Sequence, residues 1–326
     1  MRNIIFLNSG AFSDYLFKDL IDRNDTFVYY IRRPEKNKGL QLLKKIHLSK
    51  KINSRMNLPG HQLWFRKDEI DEHLDQDTRF IFTTESLGWA PADFVPYLQK
   101  EYPENSFILL ALDSVEAHSY CMQYARPLMF HLKWDLILSY DVNDCRKYGF
   151  QELGYSYYSR TADLSGYKPT HDLQYIGLRK ASGNYRERKM LEIFEKCRKN
   201  GVSCDFTVVQ KKGEEYPDGI HVYPNMLPYE KVLEHIGAAG CILEILQEGQ
   251  NQQSARYFEA VVYNKKLLTT NDRISALPFY NPDYMKVFHT SSDVDIDWLK
   301  ARDMVDYGYK GEFSPSGIPA LIDKYL

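Results

Sequence analysis

Short apolar runs, each closed by a polar residue, recur along the first half of the chain. Residues 4–7 (Ile-Ile-Phe-Leu) run into Asn8-Ser9-Gly10, and residues 80–84 into Glu85-Ser86. Residues 107–112 run into Asp113-Ser114, and residues 135–140 into Asp141. Residues 26–31 add a run of β-branched and aromatic side chains. Runs this short, without strict alternation, suit strands buried on both faces. Between them, residues 14–21 carry helical spacing, and residues 36–55 form a basic, helix-prone stretch. Strands alternating with helices predict a parallel sheet, whose strand ends present polar residues to a ligand crevice.

The pattern then restarts. A connector rich in Tyr, Gly and Ser spans residues 154–169, and the domain boundary is placed inside it, giving domains 1–165 and 166–326. Beyond it the spacing predicts strands over 173–177, 206–209, 241–245 and 266–270, with helices over 186–200, 229–236 and 254–262. The fold class read from this is α/β, two tandem Rossmann-like domains with an interdomain cleft.

Composition narrows the function classes. A chain of 326 residues is natural for two domains. Its formal net charge of -2 gives no global positive field, so no nucleic-acid partner is expected. The 5 cysteines are an odd number and form no CxxC pair, which fits reduced thiols in a cytoplasm and no cysteine-ligated zinc. No run is long and apolar enough to span a bilayer. The 25 tyrosines suit sugar-stacking surfaces and equally suit half-buried packing.

The most informative segment is residues 244–271. A strand gives way to a polar loop, and Ser254 is placed to cap the helix that follows, with Arg256 and Glu259 in its first turns. Such a helix start directs backbone N–H groups and partial positive charge at an anion. Arg256 could then contact a diphosphate and Glu259 could accept from ribose hydroxyls, the alternative being a capped surface helix with both side chains solvated. A second candidate is the loop after Gly177, where Gly183, Arg179, Lys180, Arg186 and Arg188 precede a helix. Arg179 and Lys180 are the expected phosphate contacts, against a solvated basic loop. For a general base the strand-end candidates are Asp14, Glu85, Asp113, Glu116 and His118, with Asp113 and Glu85 foremost. An Asp there is also a common N-cap. His118 and His235 read as helix-surface or core residues. Asp293, Asp295 and Asp297 could hold Mg²⁺ but read better as the acidic first turn of a helix. The cations from Lys44 to Arg55 could meet anionic lipid, the plainer alternative being a solvated helix face.

The segment resembles the C-terminal signature of bacterial GT-B-type glycosyltransferases of capsule and lipopolysaccharide synthesis. The matching residues are Gln250, Ser254 (for Thr), Arg256, Glu259, Lys265, Lys266, Thr269, Thr270 and Asn271. Similarity extends to Phe279-Tyr280-Asn281-Pro282, to Pro228-Tyr229-Glu230, and to Leu112-Asp113-Ser114 and Ser139-Tyr140-Asp141 in the first half. Gln252 and Gln253 stand where that family has Gly-Leu. The resemblance implies a metal-independent transferase with no cofactor, whose substrate donor is a nucleotide sugar. The donor would lie against Gly177, Arg179, Lys180, Gln250, Ser254, Arg256, Glu259, Thr270 and Asn271. The implied acceptor is a surface polysaccharide or lipid-linked glycan at the inner membrane face, with Asp113 or Glu85 serving catalysis. The alternative is a catalytically silent GT-B-like protein that binds a glycan or a partner.

Overall fold

The computed structural model describes residues 2–8, 12–56, 58–116, 120–155, 157–179, 185–210, 215–246 and 253–326. The chain forms two units: residues 1–159 with 313–326, and residues 160–312.

Among the described residues each unit is built on a six-stranded sheet. The first contains β1 (Asn3–Leu7), β2 (Thr26–Tyr30), β3 (Arg79–Thr83), β4 (Ser106–Ala111), β5 (Leu136–Ser139) and β6 (Gln151–Glu152). They lie in the order β2-β1-β3-β4-β5-β6, all parallel. Successive residues of the apolar runs face opposite sides. Ile4, Phe6, Phe80 and Phe82 enter one core, while Ile5, Leu7, Ile81 and Ile108 enter the other. That double burial is why these runs do not alternate with polar residues. The helices Thr84–Trp89 and Tyr120–His131 meet at Gly88, where a Cβ would stand 2.7 Å from the Cys121 backbone.

The second unit contains β7 (His171–Leu178), β8 (Cys204–Val209), β9 (Ile220–Tyr223), β10 (Ala239–Glu244), β11 (Lys266–Thr269) and β12 (Met285–Val287). Their order is β12-β11-β10-β7-β8-β9, again all parallel. Counted from the first strand of the unit this is the 3-2-1-4-5-6 Rossmann arrangement. One sheet face is apolar, with Leu173, Tyr175, Phe206, Cys241 and Leu243 in a single cluster. The other face is mixed, carrying buried Gln174, Asp205, Thr207, Glu244 and Thr269 beside Ile242 and Leu267.

The structure differs from the sequence expectation at three places. The break between units falls at 159/160 rather than 165/166, and the chain returns to the first unit at 313. The returning helix Ile318–Tyr325 buries Ile318 and Ile322 against Ile5, Leu7 and Phe17, and Asp323 pairs with Arg79. The stretch 36–55 is two helices, Lys38–His47 and Lys50–Met56. The edge strands β6 and β12 escape a pattern search because they span only two and three residues, and β9 because three of its four residues are exposed.

Candidate functional site

In a doubly wound sheet the strand order reverses at one place, and the loops beyond the strand ends there leave a crevice. In the second unit this place lies between β7 and β10. A pocket of about 250 Å³ opens there, lined by Tyr175, Gly177, Leu178, Arg186, Glu244, Ile245, Ser254, Ala255 and Arg256, among others. Its floor is made by the ends of the two strands and one wall by the start of the helix Ala255–Val262.

Each wall has a local cause. Ser254 is extended, with φ -109, and its Oγ accepts from the Arg256 N–H at 3.1 Å, so it caps the helix as expected. The same hydroxyl donates to Glu244 Oε1 at 2.5 Å, and Thr269 donates to Glu244 Oε2. Glu244 is thus a fully buried carboxyl beneath the helix start. Burial pushes its pKa up, against the hydroxyl bonds and the nearby Arg256 charge that favour ionisation. Gly177 is required for a different reason: the Tyr175 phenol folds across it, and a Cβ would fall on that ring.

Arg256 projects into the pocket and bonds Glu259, which is wholly buried and also accepts from Tyr229 Oη at 3.4 Å. Burial raises the Glu259 pKa as well, opposed by Arg256. Glu259 does not line the pocket. It holds Arg256, so any contact with ribose would need it exposed, which it is not. Arg179, expected as a phosphate contact, is turned aside. Its Nε lies 2.8 Å from Glu187 Oε1, its Nη1 donates to Gln210, and its side chain is buried. Among the described cations of this loop region Arg186 lines the pocket, and its Nε is buried with no hydrogen-bond partner among the described residues. Lys180, Gly183 and Gln250 lie outside the described residues, as does His118. Thr270 and Asn271 sit one strand away at the end of β11. The Thr270 hydroxyl accepts from the Leu246 N–H at 3.0 Å, and Asn271 Oδ1 accepts from the Arg273 N–H at 3.0 Å. The Asn271 Nδ2 is buried without a partner among the described residues.

The sequence places Arg186 in the charged group before a helix without distinguishing it from its neighbours. Its signal was position, at the first turn of the helix Tyr185–Lys199 that follows β7. Lys265 and Lys266, part of the resembling motif, have interior roles. The Lys265 ammonium donates to Gly237 O and Ala239 O, both at 2.9 Å, and burial pulls its pKa down to about 8. Lys266 bonds Trp298 O, Ala301 O and Asp303.

The first unit has its own reversal, between β1 and β3. Glu85 sits there, in the first turn after β3, where Asn8 and Ser13 favour its ionised form. Burial raises its pKa, and the charges of Asp113 and Asp14 add to the rise. Asp113 follows β4, so the two expected catalytic carboxyls are brought into one electrostatic neighbourhood. Glu116 is apart from them. It pairs with Lys147 at 3.0 Å and Tyr148 at 2.9 Å, which lower its pKa. His235 bonds the buried Asp205 at 2.5 Å.

The late acidic run is structural. Asp293 accepts from the His289 and Thr290 N–H groups, and Asp295 caps the helix Ile296–Lys300, with Asp297 in its first turn. Among the described residues no group of three His, Cys, Asp or Glu is placed to hold a metal ion.

No protein-family model and no curated protein matches the chain. Solved structures do. An α-glucosyltransferase in complex with UDP and a mismatched 13-mer DNA aligns over 100% of this chain and 99% of its own, with a TM-score of 0.57 at 12% identity. The glycosyltransferase SnogD from Streptomyces nogalater aligns over 100% of both chains, with a TM-score of 0.50 at 11% identity. At such identity the likeness is one of fold. The chain has the architecture of the GT-B glycosyltransferase structures, two Rossmann-like α/β domains in sequence.

Proposed function

We propose that the protein is a glycosyltransferase whose nucleotide-sugar donor binds the pocket at the β7/β10 reversal. The supporting observation is the convergence there of a capped helix start and two arginines, Arg186 and Arg256, on one pocket of about 250 Å³. Backbone N–H groups and guanidinium forks are the groups that recognise a diphosphate, and they also stabilise it as a leaving group. Glu259 and Glu244 set this up from behind: one orients Arg256, the other holds the Ser254 cap. Arg179 and Lys180 belong to the same reading only through the neighbouring loop. In the first unit Glu85, its pKa raised by burial, is the base that would take the proton from an acceptor hydroxyl, with Asp113 tuning it. The acceptor is proposed to be a surface-polysaccharide or lipid-linked glycan, and the transfer to proceed without a metal.

Calorimetric titration with uridine, guanosine, adenosine and cytidine diphosphates and their sugars tests the donor site. Saturable binding of one nucleotide series supports it. Absence of binding to every member would remove the assignment.

A further inference from the structure

The helix Lys38–His47 is attached to the first unit by its charged side. Lys44 is buried, donating to Glu35 at 2.5 Å and to Arg33 O at 3.1 Å. The Gln41 side chain accepts from the Glu35 N–H at 2.6 Å. His47 accepts from Trp64 Nε1 at 2.7 Å and lies 2.9 Å from Pro59 O. Away from Lys44 the helix carries Leu42 and Ile46, with Leu43 and Leu40 on its flanks, and all four are exposed. Leu40, Leu42, Leu43 and Ile46 are 43%, 60%, 56% and 48% exposed. A surface helix of a globular protein ordinarily buries its leucines and exposes its lysines. Here Lys44 is buried while the leucines are exposed beside Lys38 and Lys45, and exposed apolar side chains grouped on one helix mark a docking surface. Met56 and Leu63, on the segments beside this helix, are 70% and 83% exposed.

The charge around this face identifies the occupant. From Lys36 to Lys67 the sequence contains no Asp or Glu, in a chain whose net charge is -2. Lys44 and Lys50 turn inward, Lys50 donating to Ala90 O, while Lys36, Lys38, Lys45, Lys51 and Arg55 are exposed. Exposed apolar side chains accompanied along the same segment by exposed cations complement an anionic lipid surface: the leucines enter the boundary between head groups and acyl chains while the lysines meet lipid phosphates. Among the described residues no helix is long and apolar enough to cross a membrane, so the contact is with one face of a bilayer.

We propose that the outward side of the helix Lys38–His47, with its exposed lysines, is a docking surface for an anionic lipid bilayer. This is independent of the sugar-transfer reading, because a protein without transferase activity would still bind vesicles through it.

Flotation of the full chain with vesicles tests it, using phosphatidylcholine alone and phosphatidylcholine with one third phosphatidylglycerol. The protein is expected to float with the anionic vesicles and not with the neutral ones, and to be released by high salt as screening shortens the reach of the lysines. Reversing Lys38, Lys45 and Lys51 to Glu is expected to weaken binding by roughly a hundredfold or more. Leu42→Ser with Leu43→Ser and Ile46→Ser is expected to abolish flotation with an unchanged melting temperature, since the replaced side chains are exposed. Three results would overturn the proposal: no flotation with anionic vesicles, undiminished flotation of the triple serine variant, or light scattering that shows the same face holding two copies of the chain together while vesicles are ignored.

Discussion

Replacing Arg186 by alanine separates ligand recognition from folding. The Arg186 Nε is buried at the pocket and makes no hydrogen bond among the described residues, so its loss strands no acceptor there. Arg256 is different, because Glu259 already shares its charge and would be left buried without a counter-charge. A charge-assisted hydrogen bond to phosphate contributes about 1.5–3 kcal/mol net. Arg186→Ala should therefore weaken binding of a nucleoside diphosphate by roughly ten- to a hundredfold. Unfolding in urea without ligand should move by no more than about 0.5 kcal/mol. The two readouts are linked: at a ligand concentration of about 100 Kd the wild type gains about 2.7 kcal/mol, and a tenfold weaker variant about 1.4. Calorimetry gives Kd, and melting with and without nucleotide gives the rest. An unchanged Kd would refute the assignment of Arg186 to the phosphates. A loss of about 2 kcal/mol or more in the ligand-free protein would show instead that the guanidinium belongs to the fold.

Other consequences are as open to measurement. Ser254→Ala removes both the helix cap and the hydroxyl donated to buried Glu244, so urea unfolding should show a loss of about 2–4 kcal/mol, largely recovered by Ser254→Thr. Glu85→Gln should lower kcat by roughly a hundredfold or more with the nucleotide Kd unchanged; equal turnover would exclude Glu85 as the base. Because the Asp113 charge pushes the Glu85 carboxyl up, Asp113→Asn should shift the acid limb of the pH–rate profile to lower pH, and an unmoved limb would break that coupling. The hydrogen bond to Asp205 raises the His235 pKa above 6.5. The stability this pair contributes is fully present below that unfolded value and is lost as pH rises through the folded one. The stability gap between wild type and His235→Asn should therefore narrow as pH rises, and a constant gap would count against it.

The acidic neighbourhood of Glu85 and the site near Ser254 were legible to different degrees. Strand-end residues announce themselves because an apolar run must stop where the chain meets solvent, so Glu85 and Asp113 could be named from the pattern, and Ser254 from its place before a helical run. What surrounds them could not. Arg179 and Arg186 are seven residues apart and equally basic in the sequence. Only the structure shows Glu187 and Gln210 engaging Arg179, while Arg186 also reaches the pocket at the helix start.

The sequence by itself determined two repeats of strand and helix, their parallel pairing and the capped helix at Ser254, because periodicity and capping are local. The tertiary structure alone decided what depends on partners far along the chain. It returned the helix Ile318–Tyr325 to the first unit through Ile5 and Leu7, and buried Glu259 behind Arg256. It also turned the leucines of the helix Lys38–His47 outward by fixing Lys44 to Glu35. An amphipathic pattern states that a helix has two sides; which side meets solvent is settled by the ion pair and hydrogen bonds that the rest of the fold provides.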